Sequence, residues 1–462
     1  MEIRLSPAIA KVRPDAIRRK LYWDVSDDIP DDKWPTLTRL DLATVDKHVS
    51  IALRYRDGMR WEETPLFRKT YAERFAKGQS IRGRRTEAEL LAQYYGRVDA
   101  MYADMRANGF RLNSAPIPVY IAADGEILLG NQGNHRLAMA QVLGLPFVVV
   151  DVLGSQPGRL ADIDLLPEPD LPASVNQIPA MTTVEERRCY YRLTRECAST
   201  GAVVELGAWL GAATAYIAAG MRDAGVKTKA HTFDRFVWKP SSHDKKAGGP
   251  IGLPPIKAFR RNLGPLMDHV DVHAGELRDL TWTSGPVSLL ICDAPKRIRE
   301  ISLVLRAFAD SIRIGTVLAW QDFAYFPSYD IPAAMMRLSD HVELVDAVHP
   351  GTTAVFRVVR PWSADQVSDA ALSIRRWTPD EVESAWDAWG DRLPVAMRPR
   401  FACGAAMFLC DLGATGRAQK RLKAIIADYG DDVVPKWRYL IEERSGLMQR
   451  YAPLAQVVQQ CA

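Results

Sequence analysis

AVVELGAWLGAAT, residues 202–214, is the stretch on which the fold turns. Ala202 to Leu206 is a short apolar run with β-branched residues, the composition of a strand buried on both faces of a parallel sheet. Gly207 to Gly211 is a turn, and a helix is expected from Ala213 to Asp223. A strand, a glycine turn and a helix together bring backbone close to a ligand at the carboxyl edge of a parallel sheet. The glycines are spaced GxxxG, whereas a nicotinamide or flavin pyrophosphate requires the tighter GxGxxG. Glu205, just before the turn, suits a cationic or hydroxyl-bearing ligand better than a phosphate.

Further strands follow at regular intervals. Thr228 to Phe233 ends at Asp234, far enough past the glycines for an acidic group that binds ribose hydroxyls in a βαβ unit. Val270 to Ala274 ends in Gly275-Glu276, and Val287 to Cys292 ends at Asp293. A helix over Ile298 to Ser311 leads to Thr316 to Trp320, which ends in Gln321-Asp322. Val342 to Val348 and Thr353 to Val359 can pair as a hairpin at the sheet edge. Ligands bind outside the carboxyl ends of such strands, so polar groups gathering there read as a site.

The ordered series VVELGAWLGAAT, HTFDRF, VHAGEL, LLICDAP and VLAWQDF resembles the successive motifs of class I S-adenosylmethionine-dependent methyltransferases, in particular the macrocin O-methyltransferase and cephalosporin-hydroxylase group. The resemblance implies an α/β, Rossmann-like sheet of seven strands with the last antiparallel. It implies that Glu205, Gly207 and Gly211 line the methionine and ribose side of the cofactor. Asp234 would take the ribose hydroxyls, and Gly275 and Glu276 would lie near the adenine. In that group an acidic residue after the fourth strand and an acidic pair after the fifth often hold a divalent metal. These positions are Asp293, Gln321 and Asp322 here, so one carboxylate has become an amide. Two carboxylates, a carbonyl and waters can still complete an octahedral Mg²⁺ shell, held more weakly. Whether Mg²⁺ is used stays open at this point.

Methyl transfer is an in-line displacement at a sulfonium carbon, in which alignment supplies much of the rate. Asp293 and Asp322 are the expected catalytic carboxylates. His243, in the loop after the second strand, and His273 are the candidate bases. The segment Phe236 to Pro255, with Lys239, Lys245 and Lys246, reads as a loop over the substrate or as an ordinary solvated insertion.

Nearer the amino terminus, Ile117 to Ala122 and Glu126 to Leu129 read as strands joined by the hairpin turn Asp124-Gly125. Gly130-Asn131-Gln132-Gly133-Asn134-His135-Arg136 then opens a helix, Leu137 to Leu143, and Pro146 to Leu153 is a third strand. Arg97 to Gly109 looks helical. A helix start flanked by glycine, His and Arg suits an anion. This region resembles the ParB/sulfiredoxin-like superfamily. The resemblance implies a small α+β module that binds nucleotide phosphate, ATP or CTP, through Gly133, His135 and Arg136. Asn134 stands where sulfiredoxin needs a cysteine, which argues against reductase activity.

With 60 Lys and Arg against 56 Asp and Glu, the net charge is only +4, so a strongly basic nucleic-acid stripe is not indicated, although a local basic cluster stands at Arg82-Gly83-Arg84-Arg85, and nucleic acid is an unexpected partner. The six cysteines form no CxxC pair and no zinc pattern. Met1-Glu2-Ile3-Arg4 opens no apolar signal core, and Leu206 to Met221 is too short and glycine-broken to span a bilayer. A cytoplasmic protein without membrane association is expected. The proline-rich run around Leu160 to Pro179 reads as a linker. The expected organisation is a ParB-like module over 1–158, a linker over 159–178, a methyltransferase domain over 179–362 and a helical region over 363–462. The expected activity is O-methylation of a small metabolite or glycan, with a homo-oligomer allowed. The alternative is a nucleotide-responsive regulatory protein, or a ParB-like kinase or NTPase, whose methyltransferase fold is not catalytic.

Overall fold

The computed structural model describes residues 8–22, 38–122, 124–155, 164–238, 247, 254–443 and 445–461. The chain divides into two compact units, residues 1–168 and 169–462.

The first unit is built on strands β1 (Ala8–Val12), β2 (Arg19–Tyr22), β3 (Thr38–Asp41), β4 (Ile117–Ile121), β5 (Ile127–Leu129), β6 (Val148–Ser155) and β7 (Asp164–Leu165). Their order in the sheet is β3-β2-β5-β4-β6-β1-β7. The β4–β5 pair is the hairpin expected at Asp124-Gly125, where Gly125 takes φ +84°. The next helix runs Asn134–Val142, three residues earlier than the apolar periodicity suggests. Gly133, at φ +86°, caps it in the left-handed region, and a Cβ there would lie 2.7 Å from Ile117 Cγ2. Local chain geometry, not periodicity, sets that boundary. Ile51, Trp61, Tyr95, Ile117, Leu137 and Val150 belong to this unit's own apolar core.

The second unit holds β8 (Ala202–Leu206), β9 (Ala230–Asp234), β10 (Val270–Ala274), β11 (Val287–Cys292), β12 (Val317–Trp320), β13 (Val342–Ala347) and β14 (Ala354–Val358). The sheet order is β10-β9-β8-β11-β12-β14-β13. The pairs β10–β9, β9–β8, β8–β11 and β11–β12 are parallel. β14 runs antiparallel to both its neighbours. The chain builds outward from β8 through β9 to β10, then crosses back to place β11 on the other side of β8. This reversal opens a crevice at the carboxyl ends of β8 and β11, the standard position for a ligand in such sheets.

Helices Val184–Cys197 and Ala212–Asp223 pack closely because Gly220 has no side chain. A Cβ there would meet Thr194 Cβ at 2.7 Å. The helix expected through Ser311 ends at Ala307 and passes into a short 3-10 turn, Ala309–Ser311. After β14 come helices Pro379–Gly390, Arg398–Asp411 and Thr415–Glu443, the first capped by Thr378 as its capping box suggests. Their apolar faces do not form a separate core. Trp386, Phe401, Phe408 and Trp437 share one core with Leu206, Trp320 and Phe356 of the sheet. The proline-rich run is shared out: Asp164–Leu165 pairs with β1, while Val175 and Ile178 are buried in the second unit. No described helix is long and apolar enough to cross a membrane.

Candidate active site

Backbone hydrogen bonds tie the glycine turn to the neighbouring strand ends. Gly207 N donates to Phe233 O at 2.8 Å, and Asp293 N and Ala294 N both donate to Leu206 O, at 2.8 and 2.7 Å. Gly207 sits at φ +102°, and a Cβ would fall 2.8 Å from Ala294 N. Any side chain there would push β11's tip away from the turn. Gly211 serves a different need. It caps helix Ala212–Asp223 at φ +90°, and a Cβ would lie 2.3 Å from Leu263 Cδ1, so its smallness admits helix Ile256–Leu263.

Asp234 grips the turn directly. Its Oδ2 accepts from Ala208 N and Trp209 N, both at 2.9 Å, and its Oδ1 accepts from Phe236 N at 2.6 Å. Trp209 (φ +44°) and Phe236 (φ +50°) are thereby held in the left-handed region. Glu205 lies beneath the turn, almost wholly buried. Its Oε2 accepts from Thr214 Oγ1 at 2.7 Å and Thr232 Oγ1 at 2.9 Å. Its Oε1 is buried without a hydrogen bond among the described residues. Burial pushes this carboxyl up to about 8; the two threonine hydroxyls oppose the shift, and Asp293 and Asp234 add to it.

On the adenine side expected from the motifs, Gly275 N donates to Asp234 O at 3.0 Å, and nothing lies within 4 Å of where a Gly275 Cβ would stand. Glu276 pairs with Arg235 at 3.4 Å. His273 does not face the glycine turn as a free base. Its Nε2 lies 3.1 Å from His231 Nδ1, and its ring stacks on Phe233 at 4.3 Å. His243, Lys239, Lys245 and Lys246 lie outside the described residues.

The opposite side of the crevice is polar. Lys296 was not singled out by its sequence, yet it stands at the centre of this face. Its Nζ is 2.8 Å from Asp293 Oδ1, 2.8 Å from Gln321 Oε1 and 2.8 Å from Asp322 Oδ2. Burial alone would pull this ammonium's pKa down. Asp293 and Asp322 more than offset that and hold it well above the ordinary lysine range. The signal in the sequence is the spacing Asp293-x-x-Lys296, which places a cation within reach of the strand end it follows.

Asp322 takes φ +64°, a costly conformation for a residue with a side chain. Thr352 Oγ1 donates to its Oδ1 at 3.3 Å. Thr352 is in turn fixed by Glu186, a buried carboxylate that accepts from Thr352 N at 2.9 Å, Thr353 N at 3.2 Å and Thr353 Oγ1 at 2.8 Å. Glu186 was also missed by the sequence reading. In sequence it is only the third residue of a capping box with Thr183.

Gly207, Asp234, Gly275, Asp293, Gln321 and Asp322 therefore share one edge of one sheet, with Glu205 below it. The metal positions do not fit Mg²⁺ as they stand, because the Lys296 ammonium occupies the point between their oxygens. No group of three or more His, Cys, Asp or Glu side chains among the described residues is arranged to hold a metal.

In the first unit, Gly133 caps its helix as described. Arg136 is half-buried, and its guanidinium donates to Ala115 O and to Pro116 O (3.3 Å). His135 Nε2 lies 3.3 Å from Tyr94 OH. Burial, then Lys47 and Arg82, pushes its pKa down to about 3, so the ring is neutral at physiological pH.

A family described as a methyltransferase domain matches residues 204–323. No curated protein matches the chain. Among solved structures, the O-methyltransferase NovP is 18% identical with a TM-score of 0.30, over 37% of this chain and 80% of that one. An O-methyltransferase from Bacillus cereus in complex with SAH is 14% identical with a TM-score of 0.31, over 42% of this chain and 93% of that one. The SAH-bound Podospora anserina methyltransferase PaMTH1 is 12% identical with a TM-score of 0.30, over 41% and 88%. These scores are too low to say anything about the acceptor. The family match runs from the second half of β8 to the residue after Asp322 and so contains both faces of the crevice: this segment of the chain is similar to a methyltransferase domain.

Proposed function

We propose that the chain transfers a methyl group from S-adenosylmethionine to a hydroxyl oxygen of a small metabolite or glycan. The observation that carries this reading is the pairing of a glycine turn with an acidic face across one sheet reversal. Gly207 and Asp234 lie on one side, and Asp293 and Asp322 on the other. The residues present fit the cofactor. The turn at Gly207 leaves backbone exposed where a side chain cannot stand, and the space beside Gly275 is open. Gly207, Asp234 and Gly275 would hold the adenosyl and methionine parts. Bound there, S-adenosylmethionine supplies an electrophilic methyl on a sulfonium.

With that donor held by Gly207, Asp234 and Gly275, an acceptor hydroxyl on the side of Asp293 and Asp322 would take the methyl group, and the sulfur would keep the electron pair of the broken carbon–sulfur bond. The hydroxyl proton must leave, and Asp293 and Asp322 are the carboxylates on the acceptor side that can take it. Alignment by the two faces supplies most of the acceleration. Titration calorimetry should show saturable binding of S-adenosylmethionine to the wild type and none to Asp234→Ala, whose turn loses three hydrogen bonds. Normal binding by that variant would remove Asp234 from the site. Asp322→Ala should lower turnover far more than cofactor affinity; equal turnover would take the acidic face out of catalysis.

A second reading concerns the first unit. Arg82 lies 4.6 Å over the Tyr94 ring, and Tyr94 joins His135 at the start of helix Asn134–Val142. Lys47 is pulled down by burial and then by Arg82 and Lys20. Cations crowded at a helix start favour an anion such as the phosphates of ATP or CTP. Arg136 is spent on backbone carbonyls, so Lys47 and Arg82 would be the charged contacts beside Gly133 and His135. Nucleotide binding without methyl transfer to any acceptor would favour a regulatory protein with a non-catalytic methyltransferase fold.

A further inference from the structure

We infer that the Lys296 ammonium is the resident cation of the acceptor face and stands in place of a divalent metal. The inference rests on the methyltransferase reading above. The oxygens of Asp293, Gln321 and Asp322 come from the ends of adjacent strands β11 and β12, and Lys296 Nζ is 2.8 Å from each. An ammonium has three N–H donors and no acceptor, so this tripod satisfies it completely. Gln321 fits the lysine: its amide oxygen accepts a hydrogen bond without adding a third negative charge. Two carboxylates and one ammonium leave the face at a net charge of −1.

The root of the lysine is also fixed. Lys296 N donates to Glu300 Oε2 at 2.8 Å, and Arg297 N donates to the same oxygen at 3.2 Å. Glu300 lies in helix Ile298–Ala307, so the helix start holds Lys296's backbone under the strand ends. A divalent ion would have to turn this ammonium out and then sit beside its charge. Hard cations want six or more oxygen ligands, and two carboxylates and an amide already engaged by a lysine are a poor start. Lys296 is thus a positioning residue. It holds Asp293 to Asp322 across two strands, the task a metal performs elsewhere by coordination.

The test uses the full chain after chelator treatment, titrated with Mn²⁺ and followed by electron paramagnetic resonance. Wild type should bind no Mn²⁺ at the acceptor face, and its turnover should be unchanged by EDTA. Lys296→Ala uncovers three oxygens and should bind Mn²⁺ at least about tenfold more tightly than wild type, while its affinity for S-adenosylmethionine stays within about twofold. Asp293→Asn added to Lys296→Ala should abolish that gain. Wild-type Mn²⁺ binding lost in Asp293→Asn, or EDTA-sensitive turnover restored by Mg²⁺, would overturn the inference. Both are measured on wild type first, so misfolding of Lys296→Ala leaves it testable. Failure of wild type to bind S-adenosylmethionine would sink the methyltransferase reading instead, and calorimetry reads that separately.

Discussion

Glu205 shows how one residue under a glycine turn can tie stability to pH. Its carboxyl is buried, its pKa is raised from 4.5 to about 8, and one oxygen has no partner. A raised folded-state pKa means the native state holds the proton more tightly than the unfolded chain. The group's contribution is therefore full below 4.5 and is lost as pH rises toward 8, by up to about 1.4 kcal/mol per pH unit. Melting curves of the cofactor-free protein should show wild type falling relative to Glu205→Gln between pH 5 and 8. Parallel curves would mean that Glu205 is not protonated in the fold. The motif series puts Glu205 among the groups expected to line the cofactor, whereas the structure buries it beneath the turn, bonded to Thr214 and Thr232. An apolar run says that the strand is buried on both faces, not which covering element will bond a carboxylate within it, and Thr214, on the helix after the turn, donates to Glu205's oxygen. Lys296 escaped for a related reason. A lysine after a strand reads as solvated until neighbouring strand ends are known to bring two carboxylates to it.

At the scale of elements, the carboxyl-terminal helices act on the acceptor face through aromatic stacking. The chain leaving Asp322 is pinned at three points. Phe323 stacks on Phe401 at 5.6 Å, Phe326 on Trp437 at 4.8 Å, and Tyr329 on Phe408 at 5.2 Å. Asp411 joins the last of these by accepting from Tyr329 OH, and it pairs with Arg450 at 2.7 Å. The strained φ of Asp322 is kept by these contacts on one side and by Thr352 on the other. Trp437→Ala should cost about 3–5 kcal/mol in chemical denaturation, as large-to-small changes in a packed core do. It should also reduce turnover more than S-adenosylmethionine affinity, because Gly207 and Asp234 stand on other strands. An equal loss in both would mean that the helices support the whole sheet and not the acceptor face. Helical periodicity in 379–443 shows that these segments bury a face. It does not say that the partner is β12 and β14, since that choice depends on which sheet edge the topology leaves uncovered.

For the whole molecule, the decisive fact is where the cores divide. Among the described residues, the apolar core of 1–168 is separate from those of 169–462, whereas the core under the sheet runs into the carboxyl-terminal helices. A unit with its own core can in principle fold alone, and a core cut through its middle exposes large apolar surfaces. Residues 169–462 expressed alone should therefore melt cooperatively and bind S-adenosylmethionine within about twofold of the full chain. Residues 169–362 contain every motif of the methyltransferase series but lack Trp386, Phe401 and Trp437, so they should fail to give a cooperative melt. The pair of fragments separates two ideas that coincide in the sequence. If 169–362 folds and binds while 169–462 offers nothing more, the helices are an appendage and the Trp437→Ala effect must be read as local damage. If only 169–462 folds, the functional unit is larger than the segment its motifs mark, because the sheet cannot bury its own face without them.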